Sequence, residues 1–283
     1  MSDRVSVTKT YKMYVNGAFP RSESGRTFVL NDVEGNFLAN VAHGSRKDIR
    51  DAVVAARGAT SKWKSATAYN RGQVLYRFAE ILESRHDEFV NLLQLTDGVS
   101  AKKAANDVAK AIDLTVWYAG WTDKIAQVFG GTNPVAGPYF NFSIPAPCGV
   151  VGIITPAVNS LSGFVATVLP ALASGNTVVV VPGSHAAIPV AVTLGEVAAT
   201  SDVPAGVINI VTGTVSELAP ILASHEDIDG LDLAGAGENR PELGRLASAT
   251  ITRVVDSDLR DLHDLKRLRA FIDTVTVWHT IGQ

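Results

Sequence analysis

Three short β-branched runs, Val150 to Thr155, Thr177 to Val181 and Val207 to Val211, recur in the chain with helix-length apolar stretches between them. Runs without in-out alternation need cover on both faces, which is the situation of strands buried in a parallel sheet. Strand and helix alternating in this way pair through right-handed crossovers. A fourth run, Ile228 to Leu233, extends the series. The expected fold class is α/β, a doubly wound parallel sheet whose binding crevice lies beyond the carboxyl ends of its strands.

Ahead of this sheet the chain reads as an N-terminal helical segment. Residues 12–30, KMYVNGAFPRSESGRTFVL, alternate around Asn16-Gly17 and predict an opening hairpin. Ser45 and Asp48 form a capping-box pattern, and Ile49, Val53, Val54 and Arg57 continue it as a helix up to Gly58. Arg71 to Thr96, with Leu75, Phe78, Ala79, Leu82, Phe89, Leu92 and Leu93 on one side, predicts a long helix, and Ala101 to Phe129 predicts another. After Gly130-Gly131 the texture changes. Prolines 134, 138, 145 and 147 punctuate PYFNFSIPAP, which suits an extended ribbon outside the helical body. Ser257 to Phe271 is charged and reads as helix, and TVTVWHTI, Thr274 to Ile281, as a closing strand.

Charge and cysteine usage exclude several function classes. The 283 residues are 46% hydrophobic, enough for one large or two ordinary domains. A net charge of -3, without runs of one sign, leaves no electrostatic footprint for nucleic acid or an anionic membrane. The single cysteine excludes a disulfide framework and a Cys-rich metal site. The opening MSDRVSVTKTYKMYV carries charges where a signal peptide is apolar, and Cys148 to Ala173 is interrupted by Pro156, Asn159, Gly163 and Pro170. A cytoplasmic location is expected.

Several motifs, in order, resemble the NAD(P)-dependent aldehyde dehydrogenases. YVNGAF with SGRTF, RGQVLYRFAEILESRHDEF and WYAGWTDKI (Trp117 to Ile125) are similar to that family's opening hairpin and helices. PAPCGVVGIITP, LPALASGNTVVVVP, PAGVINIVTG and ASHEDIDGLDLAGA resemble its successive cofactor-domain strands. The resemblance implies a Rossmann-like cofactor-binding domain over residues 1–133 and 146–265. It also implies two oligomerisation β segments, 134–145 and 270–283, carrying Tyr139, Phe140, Phe142, Val275, Val277 and Trp278. In that family a second domain follows, with a nucleophilic cysteine and an ELGG glutamate that activates water. Here Arg253-Val254-Val255 is followed by DSDLRDLHDLKRLRAF and then the terminal strand. A block of roughly 150 to 200 residues, the size of a domain, is expected to be missing, and no catalytic residue is assigned.

The crevice departs from the family pattern too. The resemblance assigns Ile154, Thr155, Pro156, Val181, Ser184, Gly213 and Gly235 to a vestigial cofactor site. Where TPWN would supply an oxyanion donor the chain has Thr155-Pro156-Ala157-Val158, with Asn159 one place along. Val181 stands at the position of a ribose-binding Lys, and Leu233-Ala234-Gly235-Ala236 where FTGS would meet a pyrophosphate. Cys148 has no flanking base and reads as structural, and His185 as a surface residue near the lost Lys. His225-Glu226-Asp227 matches an ordinary family loop, and no metal is expected; Lys266-Arg267 with Arg269 reads as a solvated basic face. The alternating aromatics at 139–142 need another surface to bury against.

Three functions remain open on this reading. One is a non-catalytic subunit, structural or regulatory, a homo-oligomer or a hetero-oligomer with a complete aldehyde dehydrogenase. The second is a binding module whose crevice still takes NAD(P) or another adenine nucleotide; under the first, no cofactor or weak NAD(P) is expected. The third is an oxidoreductase acting only within a complex.

Overall fold

A computed structural model describes residues 7–158, 160–255 and 259–282. Strands β1 (Thr10–Tyr11), β2 (Thr27–Asn31) and β3 (Phe37–Ala42) form a small sheet in the order β1-β3-β2. Helices α1 (Arg46–Ser65), α2 (Ala68–Ser84), α3 (His86–Asp97), α4 (Ala101–Trp121) and α5 (Ile125–Phe129) follow. Strands β4 (Gly131–Asn133) and β5 (Tyr139–Pro147) then leave the helical body. The α/β half runs β6 (Val150–Ile154), α6 (Ser160–Ala173), β7 (Thr177–Val181), α7 (Ile188–Ala199), β8 (Ile208–Ile210), α8 (Val215–Ala223), β9 (Gly230–Asp232), α9 (Arg240–Ser248) and β10 (Arg253–Val255). Helix α10 (Leu265–Ala270) and β11 (Ile272–Thr280) close the described chain.

The second sheet has the order β10-β9-β6-β7-β8, and its ladders are parallel. Strand periodicity sorts its side chains onto two faces. Val150, Ile154, Val179 and Val181 pack with Ile49, Ala52 and Val53 of α1 and Leu218 of α8, whereas Val151, Ile153, Val178 and Val180 pack beneath α2, α4, α6 and α7. Helix α6 is buried along its whole length, which is why it is apolar all round.

Several expectations are corrected at their edges. The Asn16-Gly17 turn is present, with positive φ at both residues, yet only Val15 and Ala18 pair across it. Tyr14 bonds instead to Ile210 and covers the open edge of β8. The hairpin that does form is β2-β3. Ser45 and Asp48 make the expected capping box, but α1 continues past Gly58 because Trp63 is buried on its final turns. The long helix breaks at Arg85, whose guanidinium binds Glu88 at 2.7 Å and Glu196 on α7 at 2.5 Å. The next one ends at Trp121 and resumes as α5. Of Ser257 to Phe271, helix is confined to α10 among the described residues, and residues 256–258 lie outside them.

The third sheet, in the order β11-β5-β4, joins the two segments that the family resemblance assigns to oligomerisation. Here they pair with each other, antiparallel, from Ile272 opposite Pro147 to Thr280 opposite Tyr139. Strand β5 is therefore flanked on both sides at Asn141 to Ser143, where β4 also pairs with it, and by β11 alone over the rest of its length. One face carries Phe140, Phe142 and Ile144 opposite His279, Val277 and Val275, and the other Tyr139, Asn141 and Ser143 opposite Thr280, Trp278 and Thr276. Tyr139, Phe140, Val275 and Trp278 are exposed, and Phe142 and Val277 half-buried. Tyr139 and Trp278 meet edge to face at 5.7 Å.

Candidate functional site

The carboxyl ends of β6, β7 and β9 converge on one mouth, and six of the seven expected cofactor residues gather there. Ile154 lies opposite Val181 in the ladder. The Thr155 N–H donates to the Val181 carbonyl at 3.1 Å, and the Ile154 carbonyl accepts from Gly235 N–H at 2.9 Å. The Thr155 hydroxyl accepts from Gly183 N–H at 3.1 Å. A Cβ built on Gly235 or on Gly183 would stand 1.8 Å from the Thr155 carbonyl oxygen, so this strand end is wedged between two glycines. Ser184 Oγ reaches the Ala157 carbonyl at 3.4 Å, and Pro156 is half-buried above them. Gly213 stands apart at the end of β8, against Leu218 and Gly44.

Two side chains at this mouth, Val181 and Val158, are hydrocarbon where the family pattern has polar groups. Val181 is fully buried and packs with Ile154, Val211, Leu218, Leu233 and Ala236 in the core shared by α1, α8 and α9. Val158 is 70% exposed and its side chain offers no donor; Asn159 lies outside the described residues. The first turn of α6 is held by two carboxylates from other helices. Ser160 N–H and Oγ donate to Asp97, and Ser162 N–H and Oγ donate to Asp107. Burial, reinforced by the Asp97 charge, pushes the Asp107 carboxyl up against the pull of those hydrogen bonds.

Cys148 fits its structural reading. Its thiol contacts Asn176 Oδ1 at 3.3 Å, and burial pushes it up to about 12, so thiolate is scarce at neutral pH. His185 stacks near Phe28, ring centroids 4.5 Å apart, and touches Thr214 Oγ1 at 3.4 Å. Burial and the neighbouring His43 lower its pKa. The His225 ring accepts from Asp227 N–H within its own loop. Among the described residues no group of three or more His, Cys, Asp or Glu side chains is placed to hold a metal ion. A cavity of about 670 Å³ opens between the start of α1, with Arg46, Lys47 and Arg50, and Pro220, Ile221 and Leu246 of α8 and α9.

The expected basic face is corrected. Lys266 and Arg269 are exposed, but Arg267 is 0% exposed and ion-paired with Asp232, itself 0% exposed. That pair escaped sequence reasoning, although an acid inside the apolar run Gly-Leu-Asp-Leu is a signal that a buried partner must exist.

The Aldehyde dehydrogenase family profile matches residues 19–256. The chain belongs to the aldehyde dehydrogenase family. It is 34% identical over 259 residues to the Arabidopsis thaliana aldehyde dehydrogenase family 2 member B4, mitochondrial, covering 90% of this chain and 47% of that protein. It is 35% identical over 235 residues to human retinal dehydrogenase 2, covering 81% of this chain and 45% of that one. The solved structure of HpcC from Thermus thermophilus superposes with a TM-score of 0.82 at 30% identity, covering 88% of this chain and 48% of the other. A Staphylococcus aureus betaine aldehyde dehydrogenase solved with NAD+ shares the fold, with a TM-score of 0.81 at 22% identity. The chain thus spans about half the length of the aldehyde dehydrogenase relatives it matches. No helix among the described residues is long and apolar enough to cross a membrane.

Proposed function

We propose that this chain is a non-catalytic aldehyde dehydrogenase-like subunit, structural or regulatory, that assembles with itself or with a complete family member through the β4-β5-β11 ribbon. The observation that carries this reading is hydrocarbon at two positions of the mouth. The position that would hold a ribose is Val181, enclosed in the core. The position that would donate to an oxyanion is Val158; close by, the Ile154 carbonyl and the Thr155 N–H are bonded to Gly235 and Val181, and the Thr155 hydroxyl to Gly183. Such a mouth does not fit a dinucleotide gripped by a lysine and a helix-capping hydroxyl. The exposed apolar face of the ribbon supports assembly, since a stable contact there would bury more than about 1,000 Å².

A second reading, a nucleotide-binding module, is favoured by the cavity at α1, α8 and α9, where cations stand beside apolar Ile221 and Leu246. One set of measurements on the purified chain separates the readings. The subunit reading expects no NAD(P)-dependent aldehyde oxidation above a denatured blank, calorimetric NAD affinity at least tenfold below that of a complete relative, and a dimer or larger species by light scattering. Turnover abolished by Cys148→Ser, or a monomer both alone and beside a complete relative, overturns it. Micromolar NAD binding transfers support to the second reading.

A further inference from the structure

Asp232 ends β9 between Ile153 of β6 and Val255 of β10, with no exposure to solvent. Its two carboxylate oxygens face different parts of the molecule. Oδ1 accepts the Ala234 N–H at 2.9 Å and so shapes the loop that places Gly235 against Ile154 at the mouth. Oδ2 is paired with the Arg267 guanidinium. The same guanidinium donates through Nε to the Ala166 carbonyl at 3.1 Å. That carbonyl has lost its helical donor, because Pro170 four residues on carries no N–H.

From Arg267 the chain runs directly into the ribbon. The Phe271 carbonyl, four residues later, accepts from Asn176 Nδ2 at 3.0 Å and from Cys148 N–H at 3.1 Å, at the base of β5. Ile272 then begins β11. Upstream, the Leu262 carbonyl accepts the buried Tyr118 hydroxyl at 2.9 Å. Residues 262–271 are a strap with the ion pair near its centre, tied at one side to the mouth loop and continuing at the other as a ribbon strand.

We propose that the Arg267–Asp232 pair couples the ribbon to the mouth loop 233–236, so that loosening β11 loosens the loop and ordering one orders the other. A buried ion pair suits this role because it has no stable half-broken state: drawing Arg267 away leaves an uncompensated charge in the core, so the pair is either made or abandoned for water. Coupling of this kind is reciprocal. The proposal concerns one chain and stands whether or not the ribbon is an interface.

Amide exchange on the full chain tests it. Val275 is exposed on β11, paired in register with Ile144 and past the strap that holds Arg267. Val275→Pro breaks that ladder without touching the core. Exchange at Ala234 and Gly235 is expected to rise at least tenfold along with exchange across 139–147. Leu30→Ala, which loosens the separate N-terminal sheet, should leave Ala234 protected. In an Arg267→Lys background, which keeps the charge and loses the Nε contact to Ala166, adding Val275→Pro should accelerate Ala234 less than it does in the native chain. Acceleration confined to the ribbon, or equal acceleration of Ala234 by Leu30→Ala, overturns the proposal.

Discussion

The ends of β7 and β9 lie in the same sheet with β6 between them, and they treat polarity in opposite ways. At β7, Val181 closes an apolar core at a position the family resemblance assigns to a cation. At β9, an ion pair, Asp232 with Arg267, sits fully enclosed, both side chains without solvent exposure. The cost of burying charge is met where it secures the strap, by pairing and by the Ala166 carbonyl. At Val181, where the family resemblance places a lysine, no charge is buried. The contrast separates polarity kept for architecture from polarity kept for chemistry.

The largest test of the contrast is Arg267→Met. Removing one partner of a buried pair should lower unfolding free energy by about 3–5 kcal/mol in urea titrations, and adding Asp232→Leu should return most of it. A single-variant loss below about 1 kcal/mol would mean that the strap is not held by this pair. A second test uses pH. Cys148 is held up at about 12 from an ordinary 9.0, and Tyr11 up to about 12 from 10.0, chiefly by burial. The folded chain keeps protons that the unfolded chain releases. This contribution to stability is therefore full below pH 9.0 and is lost as pH rises toward about 12. Denaturation midpoints should fall across that window, less steeply in Cys148→Ala; a flat profile would contradict the buried-thiol assignment. The smallest effect belongs to the mouth: Val158→Asn should change stability by no more than about 0.5 kcal/mol. It should bring no NAD-dependent aldehyde oxidation, and activity gained from that one change would show the crevice to be nearly intact.

Legibility in the sequence followed the length of the pattern. Val150–Ile154 and Thr177–Val181 read as two-faced strands because β-branched runs of that length between helices have few alternatives. The ribbon read as extended because its prolines forbid helix. The Asn16-Gly17 turn was legible but its partner was not, since Tyr14 was drawn to Ile210, nearly the whole sheet away in sequence. Arg267 was misread because a six-residue helix is too short for periodicity to reveal its inward face. The hold of Asp97 and Asp107 on α6 was invisible, because α3 and α4 meet that helix only through the tertiary fold.

The pairing of β5 with β11 also sets an order of events during synthesis. Every other neighbour of β5 precedes it or follows closely, but the residues opposite Tyr139 to Pro147 are Ile272 to Thr280, made after the entire parallel sheet. Closing so long a loop is the slow kind of contact. While the ribosome works through β6 to β10, one side of β5 has no strand to bond. The aromatic stretch of the ribbon is then at its most vulnerable to stray pairing with other nascent chains.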